Sequence, residues 1–304
     1  MSDRDGSFAN LVAGAVSAGR GTAGQRGRLV VVGSGKGGTG KTFLAANLAV
    51  QWSLWGQRVV LVDADLGLAN LHVVLGLDPA AHLMGLLAPH RARNGNGADL
   101  LVPGPAGVQL LPGGSGIDRL ASLNRGELRR LVARLEPCLD RCDVAIVDLS
   151  SGISASTLLF LQAAQEILLV SNPDPSAVLD AYAVIKVVAR PSVPQRAIHL
   201  VMNRVRDEQR ARHSAARLET TAERFVEQKV STLGLIPEDG SAAEALAHRQ
   251  PLVLFRPDAP ATRAVRALAR RLLGAPAGAG VSTRDAFFAR SAGLLAPRKR
   301  AAAR

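Results

Sequence analysis

Leu29-Val30-Val31-Val32-Gly33-Ser34-Gly35-Lys36-Gly37-Gly38-Thr39-Gly40-Lys41-Thr42 decides how the rest of this chain is read. Its apolar, largely β-branched start reads as a strand buried on both faces. Gly35 to Thr42 then matches the pattern G-x-x-x-x-G-K-[ST]. Glycines let the backbone turn so that successive N–H groups converge on phosphate oxygens, and a helix opening at Lys41 adds the positive end of its dipole. In that setting Lys41 contacts the β- and γ-phosphates of a nucleotide and the Thr42 hydroxyl binds Mg²⁺. A ligand-free turn would share the glycines, but the full motif between a strand and a helix favours the phosphate site.

Outward from this loop, short β-branched runs alternate with stretches of helical period. A helix is expected over residues 41 to about 55, and strands at RVVLVD (58–63), DVAIVD (143–148), EILLVS (166–171), AIHLVMN (197–203) and VSTLGLIP (230–237). The segment between RVVLVD and DVAIVD reads as helical. Alternating strands and helices imply an α/β fold, a twisted, mostly parallel sheet with helices on both faces. The strands are apolar on both faces, which places them centrally. A last core helix is expected over 261–273, with Val265, Leu268 and Leu272 on one side and Gly274 as its stop.

A chain of 304 residues suits one large domain with tails. The division expected is a flexible leader (1–27) with one apolar spacing at Phe8, Leu11, Val12 and Val16, a domain (28–274), a linker (275–280) and a basic tail (281–304). Hydrophobic residues make up 47 %, yet no apolar run approaches the roughly 18 to 20 residues of a membrane-spanning helix, and MSDRDGSFANL is no signal peptide. A cytoplasmic protein is expected. The net charge of +12 weighs little as a sign of a nucleic-acid or lipid partner, because arginine and alanine are abundant throughout and only Lys36, Lys41, Lys186, Lys229 and Lys299 are lysines. Cys138 and Cys142 suit neither a disulfide framework nor a four-ligand zinc site and read as ordinary reduced thiols.

Three acids end strands beside the loop. Asp63 and Asp65 leave the carboxyl edge of the sheet on the same side, two residues apart, where open α/β sheets bind ligands. Asp148 ends its strand in the manner of a Walker B acid, which holds Mg²⁺ through water. One such aspartate alone would be a cap or turn residue. Three beside a complete phosphate loop make a metal site.

Lys36-Gly37-Gly38-Thr39-Gly40-Lys41-Thr42 resembles the variant loop of the MinD/ParA ATPases, and DADLGLANL (63–71) resembles their switch region. DADLGLANLHVVLGL (63–77), VQLLPGGSGIDRLASL (108–123) and NPDPSAVLDAYAVIK (172–186) look most like the flagellum-placing branch, FlhG, with MinD next; the resemblance spans about 28–273. It implies a P-loop NTPase fold, ATP and Mg²⁺ as ligands, and hydrolysis of ATP to ADP and phosphate by an ATP-dependent homodimer. Lys36 would reach the partner subunit's nucleotide, acting as a second cation near the developing charge. Asp65 would orient the attacking water and Asp63 would support the metal and its waters. Asn203 matches the position that reads adenine, and LGLIPED the loop that passes the base after Pro237.

The role implied is spatial regulation, of flagellar placement or number, with an activating protein partner. The alternatives are a MinD-like division-site ATPase and a ParA-like positioning ATPase that binds DNA. Iron–sulfur proteins of this fold need paired cysteines at another spacing, and tyrosine kinases of this fold carry a tyrosine-rich tail, whereas Tyr182 is the one tyrosine here. Phe43 departs from the family in replacing a small polar residue, Leu149-Ser150-Ser151-Gly152 departs after Asp148, and SFANLVAGAV lacks the Asp-Gln-Ala motif of many FlhG leaders.

In the tail, Ser282-Thr283-Arg284-Asp285 offers a capping box, and Phe287, Phe288, Leu294 and Leu295 fall within roughly a third of a helical circumference. Arg290, Arg298, Lys299 and Arg300 stand near that stripe. The expectation is a helix that reversibly contacts an anionic membrane surface. A helix docked on the core is the alternative.

Overall fold

The strand that precedes the phosphate loop, β1 (Arg28–Gly33), runs inside an eight-stranded sheet. The computed structural model describes residues 27–65, 68–80, 82, 83, 87, 97–114, 123–139, 142–164, 166–189, 196–274 and 283–295. The other strands are β2 (Val59–Ala64), β3 (Val102–Pro103), β4 (Gln109–Leu111), β5 (Val144–Leu149), β6 (Glu166–Ser171), β7 (Ala197–Val205) and β8 (Val230–Pro237). Their order is β3-β4-β2-β5-β1-β6-β7-β8, and every pair is parallel except β3 with β4.

The described helices are α1 (Lys41–Leu54), α2 (Leu71–Val74), α3 (Arg125–Leu139), α4 (Ala155–Ala163), α5 (Pro175–Val188), α6 (Glu208–Val226), α7 (Gly240–Ala247), α8 (Leu252–Phe255), α9 (Pro260–Gly274) and α10 (Thr283–Leu295). None of the described helices is long and apolar enough to cross a membrane. Strand side chains alternate, so β1 sends Leu29 and Val31 into one core layer and Val30 and Val32 into the other. The first layer is closed by α3, α4, α5, α6 and α10, the second by α1, α2, α7, α8 and α9. In the second, Trp52 of α1 is fully buried and its Nε1 donates to the Ala269 carbonyl of α9, so its one polar atom is satisfied.

The expected fold class is present: a mostly parallel sheet with a helical layer on each face. Four local expectations need correction. The middle segment is not simply helical: Gln109-Leu110-Leu111 forms β4, short but with Leu110 and Leu111 buried, and β3 returns antiparallel against it. VSTLGLIP is β8 at the sheet's edge, not a central strand, and Ser231 and Thr232 stand exposed. Hydroxyls are tolerated there because the strand has an open side, where Glu219 of α6 accepts from the Thr232 N–H and hydroxyl. AIHLVMN runs on to Val205.

The fourth correction concerns the tail. Residues 283–295 form α10, which packs on the body between α3 and α4, and Phe287 and Phe288 are 0 % and 6 % exposed. The Phe287 ring stacks on Phe160 of α4 at 5.8 Å. Leu294 packs partly buried against the same core. Arg284 donates to the Leu139 carbonyl at the end of α3 at 2.8 Å, and Arg290 to the Ala164 carbonyl that follows α4 at 3.5 Å. Cations placed at helix carboxyl ends meet the negative end of the dipole. Phe287, Phe288 and Leu294 of the stripe expected to meet lipid therefore pack on the core in this structure. Residues 1–26 of the leader, the linker, the side chain of Leu295, and Arg298, Lys299 and Arg300 lie outside the described residues.

Candidate functional site

β1, β2 and β5 end side by side, and their carboxyl ends build the site. Gly40 precedes α1 with φ 93°, a left-handed conformation that a side chain would strain, and a Cβ there would overlap the Asn203 amide. A Cβ at Gly35 would overlap the Asp180 backbone in the middle of α5. The loop is thus wedged between β7 and α5 with no room for side chains at these two points. Its floor is tied down as well: the Gly152 N–H donates to the Ser34 carbonyl at 2.9 Å, and the Ser34 hydroxyl to the Lys36 carbonyl at 2.8 Å. Lys41 opens α1 and is buried, with 8 % of its surface exposed.

Asp63 and Asp148 are paired partners across the β2–β5 ladder, each 1 % exposed. Burial pushes the Asp148 carboxyl up to about 8, helped by the Asp63 charge and opposed by Lys41 and the Thr42 hydroxyl. Burial likewise pushes Asp63 up to about 7, against the N–H groups of Leu71 and Asp65, which donate to it at 3.0 and 3.2 Å. Asp148 Oδ1 and Thr39 Oγ1 are buried polar atoms without any partner in the protein. A buried carboxyl group that meets the Thr42 hydroxyl and keeps a second oxygen without a partner fits a hydrated Mg²⁺ beside these groups. Asp65 stands beyond β2, half-buried, and accepts from the Leu68 N–H at 3.3 Å.

The structure thus brings Lys41, Thr42, Asp63, Asp65 and Asp148 to one sheet edge. Asn203 arrives there too: buried at the end of β7, its Nδ2 donates to the Thr39 carbonyl at 2.8 Å. One of its two amide N–H donors is therefore engaged with the loop, which leaves the second N–H and Oδ1 to meet a base. Pro237 ends β8, three strands away from β1 along the same carboxyl edge. Lys36 extends from the loop, and its Nζ donates to the Ser176 hydroxyl of α5 at 2.8 Å. Sequence reasoning missed Ser176, because a lone serine in the first turn of a helix carries no signal of its own. Phe225 aside, the exposed large hydrophobic residues among those described are Leu68, Ile153, Leu179 and Leu246. The first three follow β2, β5 and β6, and Leu246 lies on α7 after β8, so all stand around the phosphate loop.

Cys138 and Cys142 are buried, form no disulfide, and lie at the opposite end of the sheet, where α3 gives way to β5. Burial pushes the Cys142 thiol up to about 11, away from thiolate character at neutral pH.

Residues 30–252 match the family model of the CobQ/CobB/MinD/ParA nucleotide binding domain. The chain belongs to the MinD/ParA family of ATPases. It is 34 % identical over 245 residues to the antiactivator FleN of Pseudomonas aeruginosa, covering 81 % of this chain and 86 % of that protein. It is 35 % identical over 160 residues to the flagellum site-determining protein YlxH of Helicobacter pylori, covering 53 % of each. Among solved structures it resembles the septum site-determining protein MinD of Pyrococcus horikoshii in complex with Mg-ADP, with a TM-score of 0.64 and 26 % identity over 81 % of this chain and 95 % of that one. Membership of a nucleotide-binding family accords with the loop, the buried acids and the partnerless Asp148 oxygen found here.

Proposed function

We propose that this protein is a Mg²⁺-dependent ATPase that dimerises on ATP and regulates the placement or number of flagella. The observation that carries the ATPase part is the convergence of Lys41, Thr42, Asp63, Asp65 and Asp148 on one loop-lined edge. Gly35 to Thr42 would hold the phosphates through backbone N–H groups and Lys41. Thr42, Asp63 and Asp148 would hold the metal, which when bound supplies positive charge to the phosphate oxygens. Asp65 would orient the attacking water, and the Asn203 amide with the chain after Pro237 would receive the adenine.

Dimerisation is supported by two features of the same edge. Lys36 is exposed and points away from its own cradle onto Ser176, so it is free to reach a second subunit's nucleotide. The apolar residues Leu68, Ile153 and Leu179 surround the loop uncovered, as a buried contact between two copies would require. On this reading hydrolysis is slow until the dimer forms and an activating partner engages it. The protein acts in the cytoplasm. Contact with a membrane through α10 would first require that helix to leave the core.

The flagellar role follows from similarity to FleN and YlxH. It is tested by deleting the gene and scoring flagella by electron microscopy. Altered number or position, restored by the wild-type gene and not by Lys41→Ala, is expected. Normal flagella with misplaced septa would instead favour the division-site reading, to which the MinD likeness points. ATP-dependent, salt-sensitive retention on non-specific DNA would favour the partition reading.

A further inference from the structure

Two neighbouring residues at the end of β7 both reach the phosphate loop, which a regular strand does not allow. Successive side chains of a strand point to opposite faces. Asn203 nevertheless donates from Nδ2 to the Thr39 carbonyl at 2.8 Å, and Arg204 donates from Nη1 to the Gly38 carbonyl at 3.4 Å. The backbone makes the double reach possible. Arg204 has φ 56°, and the pairing of β7 with β8 slips register between Met202 and Val205. A β-bulge re-aims the side chain at which it falls. Left-handed backbone is the territory of glycine and asparagine, so arginine is kept here against the local preference.

A peptide unit is planar and trans, so its carbonyl and its N–H point in opposite directions. Fixing the Gly38 carbonyl therefore fixes the Thr39 N–H, and fixing the Thr39 carbonyl fixes the Gly40 N–H. We propose that Arg204 is a positioning residue of the phosphate loop: with Asn203 it holds two consecutive carbonyls toward β7, so that the two N–H groups between Gly38 and Lys41 face the phosphates. The two holds differ in kind. Asn203 is buried and permanent, whereas Arg204 is exposed and can let go. The proposal rests on the nucleotide-binding reading above and deepens it.

The test separates backbone strain from nucleotide binding. Arg204→Gly and Arg204→Asn both suit the left-handed backbone and remove the guanidinium, while Arg204→Lys keeps a cation. Without nucleotide, the glycine and asparagine variants are expected to melt at or above the wild-type temperature. They should nonetheless bind Mg-ADP about tenfold more weakly by calorimetry, with KM for ATP rising by more than kcat falls, and Arg204→Lys should lie between them and the wild type. Wild-type affinity in both the glycine and asparagine variants would overturn the proposal. So would an affinity loss matched by an equal loss of thermal stability in both. Failure of the nucleotide-binding reading would look different, because the wild-type protein itself would then show no Mg-ADP binding.

Discussion

Asp148 and Glu166 are both buried carboxylates, but their surroundings assign them opposite duties. Asp148 is pushed up to about 8 by burial and keeps one oxygen without a partner. Such a group costs stability and persists for what it binds. Asp148→Asn should therefore stabilise the nucleotide-free protein by about 1 to 3 kcal/mol and abolish the rise in melting temperature on adding Mg-ATP; thermal melts with and without ligand check both parts. Glu166 sits at the other end of the sheet. Burial would raise its carboxyl, but hydrogen bonds from His199 and from Arg28 outweigh that and hold it below the usual carboxylate range of about 4.5. Arg28 Nη1 also donates to the Leu273 carbonyl of α9, so this cluster fastens the start of β1 to β6, β7 and the last helix of the second layer. A carboxyl depressed in the folded state stabilises fully above its unfolded value and loses that contribution as pH falls through its folded value. Glu166→Gln should cost about 3 kcal/mol at pH 7, and the gap to the wild type should narrow below about pH 4.5. Urea unfolding at pH 7 and pH 4 measures it; an equal gap at both would refute the assignment.

α10 shows how the same residues can be read in two ways at the level of an element. An apolar stripe along a helix tells that a face will be buried, not whether lipid or protein buries it. Here protein does, with Phe287 fully buried on Phe160. Phe287→Ala should then destabilise the protein by about 3 kcal/mol, measured by chemical denaturation, whereas a free tail would leave stability unchanged. Elsewhere the local pattern was enough. EILLVS became β6 and VSTLGLIP became β8 with the bounds their β-branched runs suggested, and the phosphate loop was legible because its motif needs a strand before it and a helix after it. The position of β8 in the sheet was not legible, since strand order depends on pairings between distant segments. β3 and β4 escaped notice because two- and three-residue strands carry no period. At the site, the acids were recognisable from their strand-terminal places. Ser176 and Arg204 were not, because one owes its role to α5 packing beside the loop and the other to a bulge.

For the molecule as a whole, one edge of the sheet collects the phosphate loop, the buried acids, the outward-pointing Lys36 and the uncovered Leu68, Ile153 and Leu179. The opposite edge holds the thiols and the Glu166 cluster. Under the proposed function, a subunit built this way would bind a nucleotide alone, and its second cation and apolar rim would serve another copy. Nucleotide state would then set the assembly state, and assembly would set activity. The most direct test is sedimentation velocity of Asp65→Ala, which should hold ATP without hydrolysing it. In Mg-ATP it should sediment as a dimer and in Mg-ADP as a monomer, with Leu179→Glu abolishing the dimer. The same mass in both nucleotides would contradict the account.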